Sequence, residues 1–440
     1  MTIIGSLIHG VTGVDAQSRS FGAVSDNIAN STTVGYKTQR AEFSTLYTPR
    51  QVPVQYAPGG VRAQVTQRVD KEGLVQATES RTDAAVLGRG FFAVAQVEDI
   101  IGAGAGAGDR TRVDTDNPGV TRAGSFRPNR DGFLVNTAGY ALLGLPVNTP
   151  DQNAAVQRTL NGLTPVRVQG IAATIPGQAT TEVQLGINLP ASGDIGATQD
   201  VTVPVYDAQG NTYGATYRFT RVAANTWSGQ AVSLDTSGQT VSGTTSGTAQ
   251  VVPTPVTVRF SSLGEPLEPA GAVSLGSFIA PNGAVLSPRI NFGTNTVSGQ
   301  PKTVQLGDTF GVVQINQNGY REGNRIGLEI TPEGYVRETY DNNQIRDIAR
   351  VPLVTFQNPI GLEARSGNVW LQSTTSGVPL VNTPGNGGAG RIQPSALESS
   401  TVDLADEFST MIITQRAYTA STKIITTADE MYQEVVRLAR

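Results

Sequence analysis

Hydrophobic residues recur with a seven-residue step at both ends of the chain. Near the start, Leu7, Val14, Phe21 and Ile28 form one row, and Ile4 and Val11 open a flanking row that decays to Ser18 and Ser25. No proline interrupts residues 4–30, so the spacing predicts an amphipathic helix with one apolar row and one half-polar row. Near the far end, Leu404, Met411, Tyr418, Ile425 and Tyr432 repeat the step, flanked by Phe408, Gln415, Thr422, Asp429 and Val436. Residues 402–438 contain neither Gly nor Pro. A helix of about 35 residues there would be about 50 Å long. Ser399, Ser400 and Thr401 are N-cap candidates, Asp403, Asp406 and Glu407 place acids in the first turn, and Arg437 and Arg440 place cations at the other end.

Narrow stripes make weak isolated helices, so each needs a partner. The simplest arrangement pairs the two chain ends, with Leu7, Val14, Phe21 and Ile28 facing Leu404, Met411, Tyr418 and Ile425, as a coiled-coil-like stalk. The alternative is two separate surface helices lying on a central domain.

Between the helices the period changes to that of strands and turns. Gly90-Phe91-Phe92-Ala93-Val94, Gly132-Phe133-Leu134-Val135 and Val351-Pro352-Leu353-Val354 read as strands, and Asn129–Gly132 and Glu333-Gly334 as hairpin turns. Thr, Val, Gly and Gln dominate from about residue 166 to 315, which predicts an inserted all-β domain. In it Val203–Tyr206 reads as a strand, Asp207–Asn211 as a turn and Trp227 as core. The expected fold is mainly β with long α-helical termini. Its parts are a terminal helical domain (1–33 and 400–440), a β-rich middle domain (34–165 and 316–399) and the insert (166–315), the two β domains being stacked.

Composition narrows the function classes. The chain has 440 residues, a net charge of −4 and no basic footprint for nucleic acid. No stretch reaches the roughly 20 apolar residues that span a bilayer. Without cysteine there is no disulfide, thiolate nucleophile or thiolate metal site. His9 is the single histidine, which leaves a general base or a triad elsewhere without its usual residue; it reads as a surface or interface residue. Residues 1–14 lack the basic start and cleavage site of a secretory signal. Three local patterns lose their chemistry on inspection. Gly102–Gly108 alternates with Ala and lacks the strand, helix and Lys of a phosphate loop, so it reads as a hairpin tip. Asp114–Gly119 has Pro118 at the fifth position and Ser125 at the twelfth, where a calcium loop needs Glu, so it reads as a turn. Asp403, Asp406, Glu407, Asp429 and Glu430 sit on the amphipathic helix, where acids mark a solvated face or a neighbour contact. Nothing calls for a catalytic site, a metal or a cofactor.

Asn27-Ile28-Ala29-Asn30-Ser31-Thr32-Thr33-Val34-Gly35-Tyr36-Lys37 closes the first helix. Its short polar side chains compete for backbone hydrogen bonds and end the helix, while Gly35 admits a positive φ. The segment resembles the N-A-N-x-x-T-x-G-F/Y-K signature of bacterial flagellar rod and hook proteins. Ala396–Leu404, Glu407-Phe408, Met411-Ile412, Gln415–Tyr418 and Thr426–Met431 are similar to the same family's C-terminal segment, which has Asn in place of Thr401 and Asn-Ser in place of Ser421-Thr422. Thr82–Phe92, Thr121–Phe126, Gly132–Val135, Phe356–Pro359 and Gly361-Leu362 extend the resemblance inward. The length and the insert resemble hook subunits more than rod subunits, with a distal rod subunit as the alternative and a secreted adhesin as a more remote one. The resemblance implies a structural, non-enzymatic subunit exported unfolded through the flagellar type III apparatus without signal cleavage. It implies a curved extracellular tube acting as a universal joint, with partners in itself, the distal rod protein, the hook cap protein and the hook–filament junction protein, and no membrane insertion. The subunit interface it implies comprises Leu7, Val14, Phe21, Asn27, Ile28, Asn30, Gly35, Tyr36, Leu404, Phe408, Met411, Gln415, Tyr418 and Ile425. In a free monomer the first 30 and last 40 or so residues are expected to be disordered and to order on polymerisation.

Overall fold

The computed structural model describes residues 3–47, 58–99, 111–147, 160–168, 174–235, 250–293 and 301–438. Two helices, α1 (Ile3–Ala29) and α2 (Leu404–Leu438), enclose a mainly β chain. Two compact units emerge. One comprises Met1–Ile171, Gly327–Glu338 and Ile345–Arg440, and so includes both helices; the other comprises Ala172–Ile326 and Thr339–Gln344. The Gly102–Gly108 run lies outside the described residues.

In the first unit the strand Phe91–Asp99 lies between Thr111–Thr121 and Tyr140–Pro146, antiparallel to both. Its unbroken apolar start reflects burial on both faces, because alternate side chains point to opposite sides. Phe92 and Val94 join Phe126, Leu134, Leu142 and Leu353 in one cluster. Phe91, Ala93 and Ala95 join Leu143, Phe356 and Trp370 in another. Edge-to-face ring pairs occur in both, Phe92–Phe126 at 5.6 Å and Phe91–Trp370 at 5.8 Å.

Two expected turns are present. Gly132 donates to the Asn129 carbonyl at 3.1 Å, and Gly334 to Thr331 at 2.9 Å. Asp114–Gly119 differs from its expected turn, being part of the strand Thr111–Thr121. The ladder nevertheless steps from Val94↔Gly119 to Gln96↔Asp114, so the residues between bulge out of register. Pro118 has no N–H to give a ladder, which suits it to a bulge.

The second unit has a five-stranded antiparallel sheet ordered Thr198–Tyr206, Thr212–Ala223, Thr226–Asp235, Val256–Phe260 and Pro266–Glu268. A further five-stranded sheet contains Glu182–Leu189. Val183, Leu185 and Ile187 from the latter meet Val201, Val203, Val205, Tyr217, Phe219 and Trp227 from the former in one core. The strict alternation along Thr212–Ala223 puts Tyr213, Ala215, Tyr217 and Phe219 inside. Val203–Tyr206 is strand, Asp207 closes the following turn by accepting from the backbone N–H of Gln209 and Asn211, and Trp227 is core, all as expected.

Candidate assembly interface

α1 and α2 pack antiparallel. Gly13 faces Ser421, Ser20 faces Thr414 at 3.4 Å between hydroxyls, and Asn27 faces Glu407 at 3.0 Å. Each seven-residue step up α1 is matched by seven down α2, a heptad spacing. Apart from Ile425, which packs on Gly10, the residues that meet are small or polar, so the backbones approach closely. A Cβ on Gly10 would stand 2.6 Å from the Ile425 side chain, and one on Gly13 would stand 2.9 Å from the Ser421 hydroxyl. Ala428 extends the α2 side of the seam and is buried.

This seam corrects the expected face-to-face pairing of the apolar rows. It runs on the Glu407, Thr414, Ser421, Ala428 flank of α2, opposite the flank of Phe408 and Gln415. Ile425 reaches it and Met411 is half-buried, as are Val14 and Ile28. Leu7, Phe21, Leu404, Phe408 and Tyr418 are left 38% to 51% exposed, and Gln415 is exposed. The physical reason is size: Gly, Ser, Thr and Ala permit the close approach, and large apolar side chains would hold the helices apart.

The helix-ending motif forms a polar hub. The Asn27 amide donates to the Gln39 carbonyl at 2.8 Å and to Glu407 at 3.0 Å. Its oxygen accepts from the Gln39 N–H at 2.8 Å and from the Tyr36 hydroxyl at 3.1 Å. One buried amide thus joins α1, α2 and the first strand, Gln39–Tyr47. Burial, followed by the charges of Asp26 and Glu407, pushes the Tyr36 hydroxyl up to about 12. Burial also raises the Glu407 carboxyl above its ordinary value, against the Asn27 hydrogen bond that lowers it. Asn30 donates from its side chain to the Asp26 carbonyl at 2.8 Å and ends the helix. Gly35 has φ +68°, and a Cβ there would lie 2.7 Å from the Ala123 nitrogen, so only glycine fits this crossing.

Below the hub lies a buried ion cluster. Glu398 accepts from Lys37 at 2.6 Å, from the Gly73 N–H at 2.7 Å and from Arg122 at 3.0 Å. Lys37 also donates to the Lys71 carbonyl. Arg122 donates to the Val86 and Gly88 carbonyls and stacks over Phe91, its carbon 5.1 Å from the ring centre. Burial pulls the Lys37 ammonium below its ordinary value, while Glu398 opposes that shift. Thr401 does not cap α2. It accepts from the Thr38 N–H at 2.9 Å and donates its own N–H to the Tyr36 carbonyl, while Asp403 accepts from the N–H of Ala405. Ser399 and Ser400 likewise give way to Asp403 as the cap.

Asn27, Gly35 and Tyr36 are therefore brought together, with Asn30 beside them, whereas the apolar rows stay apart from the hub. Lys37, Arg122, Glu398 and Glu407 escaped sequence reasoning as a constellation. All four fall in the quoted motifs, but no spacing reveals that Lys37 and Glu398, so distant along the chain, touch. Among the described residues no three potential ligands cluster to hold a metal, and no helix is long and apolar enough to cross a membrane.

The chain matches known flagellar proteins along its length. Residues 393–438 match the family described as flagellar basal body rod FlgEFG protein C-terminal, and residues 174–320 match the flagellar basal body protein FlaE D2 domain. The chain is 34% identical to the flagellar hook protein FlgE of Rhizobium meliloti (strain 1021) and 31% identical to that of Brucella suis biovar 1, with 100% of both chains covered in each case. It is 27% identical to the hook protein FlgE of Salmonella typhimurium, over 98% of this chain and 100% of that one. The crystal structure of Helicobacter pylori flagellar hook protein FlgE2 shares the fold, with a TM-score of 0.53 and 14% identity over 74% of this chain and 100% of that chain.

Proposed function

Since the chain belongs to the flagellar hook protein family, and is a structural subunit of the hook, we propose that its terminal helices are the elements through which copies polymerise. The observation that carries this is the exposed apolar row. Leu7, Phe21, Leu404, Phe408 and Tyr418 lie on helices whose contact with each other is made by smaller residues. Among the described residues that apolar surface keeps a large exposed share, and a homopolymer supplies it with a partner. The heptad spacing of the seam supports a coiled-coil-like stalk. Val14, Ile28, Met411, Gln415 and Ile425 extend the interface, and Asn27, Asn30, Gly35 and Tyr36 fix the angle at which the helices leave the β-rich part.

In this reading the terminal helical part (1–33 and 400–440) lines an inner tube. The middle β-rich part (34–165 and 316–399) and the insert (166–315) stack outside it. Head-to-tail contacts between unlike surfaces make an open helix and not a closed ring. A universal joint bends as the outer domains slide while the inner helices hold. The proposed partners are further copies, the distal rod protein, the hook cap protein, the hook–filament junction protein and the type III export apparatus, which delivers the chain without signal cleavage to the extracellular hook. The whole-length match to hook proteins favours this over a distal rod subunit. Electron microscopy of the purified full chain tests it: curved tubes are expected, and persistent monomers under assembly conditions would contradict it.

A further inference from the structure

Asparagine followed by glycine is prone to lose its side-chain amide, because glycine has no side chain to hinder attack by its own backbone nitrogen. The pair occurs at residues 161, 282, 318 and 386. The side chains of Asn282, Asn318 and Asn386 are described, and all three residues are exposed. Exposure therefore does not distinguish them, but hydrogen bonding does. The Gly283 N–H donates to the Ala280 carbonyl at 2.9 Å, and the Gly319 N–H to Gln317 Oε1 at 2.6 Å. The Asn282 amide donates to Asp207 and Gln209 and accepts from the Ala284 N–H. The Asn318 amide accepts from the N–H groups of Thr181 and Glu182 and donates to the Thr181 hydroxyl. At both sites the attacking nitrogen and the target amide are held.

Asn386 differs on each count. It sits in the loop 383–390, which leads into the strand Arg391–Pro394. Among the described residues the Gly387 N–H donates to nothing. The Asn386 side chain makes one hydrogen bond, from its nitrogen to the Thr383 hydroxyl at 3.0 Å, and its oxygen accepts none. The turn itself is fixed, since the Asn386 N–H donates to the Thr383 carbonyl and the Asn386 carbonyl accepts from the Ala389 N–H, each at 3.0 Å. Gly387 has φ +62°, and a Cβ there would collide with the Asn382 side-chain oxygen. The fold thus demands glycine at the one position where glycine also leaves the attack unhindered.

We propose that Asn386 is a site of spontaneous deamidation, with water as the reagent. The Gly387 nitrogen gives its proton to solvent base and bonds to Asn386 Cγ. The bond from Cγ to the side-chain nitrogen breaks, and ammonia leaves with a proton from water. Water then opens the succinimide ring at either carbonyl, leaving aspartate or isoaspartate with no change of oxidation state. Each event adds one negative charge to a chain whose net charge is −4. The charge arises beside Arg391 and Arg89, the latter held to the loop by the Gly390 N–H on its carbonyl; both side chains are without an ion pair among the described residues. Freeing a backbone N–H from a neutral hydrogen bond before it can attack raises the barrier by an amount equivalent to about tenfold in rate, so Asn282 and Asn318 are protected where Asn386 is not.

The test incubates the folded full-length chain at neutral and at mildly alkaline pH, then follows the amide-to-acid mass change at each asparagine by peptide mapping. Asn386 is expected to convert about tenfold faster than Asn282 and Asn318, faster still at the higher pH, and to a mixture of aspartate and isoaspartate. In denaturant the three should react at similar rates, because the fold and not the dipeptide sets their order. Equal rates in the folded chain, or conversion led by Asn282 or Asn318, overturn the inference, as does aspartate formed without isoaspartate. A preference for Asn386 that persists undiminished in denaturant overturns it as well.

Discussion

The core of the second β unit and the seam between the terminal helices solve opposite problems. In the β core, Tyr217, Phe219 and Trp227 are almost wholly buried, and their sheet leaves its polar alternates outside. In the helix pair the small residues are inside, and Leu7, Phe21, Phe408 and Tyr418 are outside. The first region is complete as a monomer. The second has been given a close fit to itself and an apolar exterior that suits a neighbour. Large buried side chains therefore mark where this chain is finished, and large exposed ones mark where it waits for another copy.

Perturbations can break this contrast in order of size. Glu398→Ala leaves Lys37 and Arg122 buried without their carboxylate and should cost about 3–5 kcal/mol, read by chemical unfolding of the unit that contains the helices. Phe219→Ala should cost a similar 3–5 kcal/mol or so in the second unit, and tubes should still form while that unit remains folded. Gly10→Leu drives a side chain into Ile425 and should destabilise the helix pair by about 1–3 kcal/mol, seen as faster proteolysis of both chain ends in assembled tubes. Loss of helix protection after Phe219→Ala but not after Gly10→Leu would reverse the comparison.

The smallest effect is in pH. Burial raises the Glu407 carboxyl above its ordinary 4.5, so near and above that value the folded state holds a proton that the unfolded state has released. Its contribution to stability is fully present below the ordinary value and is lost as pH rises through the raised one. Helix-pair stability should fall modestly over that window, and Glu407→Gln should flatten the dependence. A stability that instead rises with pH in the wild type and not in Glu407→Gln would sink this assignment.

Much of this contrast was legible in the chain itself. The two helices, the strand of Phe91–Val94, the Asp207 turn and the core role of Trp227 follow from local periodicity and turn chemistry. The polar run from Asn27 to Tyr36 signals the end of the first helix, but nothing local to it signals the bonds of Asn27 to Gln39 and Glu407. The seam was not legible. A heptad count ranks large apolar rows first, but here the helices meet through Gly10, Gly13, Ser20 and Thr414, whose contribution is closeness and not hydrophobicity. Nor could spacing disclose Lys37 with Glu398, since pairs so distant in sequence meet only through the fold. Thr401 was misread as a cap because Thr caps helices readily; its hydroxyl instead engages Thr38, and Asp403 serves α2.

The most direct test of the central claim is Phe21→Asp, measured for both monomer stability and assembly. Phe21 lies exposed, so the monomer should lose no more than about 0.5 kcal/mol, with both β units unfolding as before, while electron microscopy shows no tubes. Normal tubes from this variant would contradict the account, as would a monomer whose β units unfold with it.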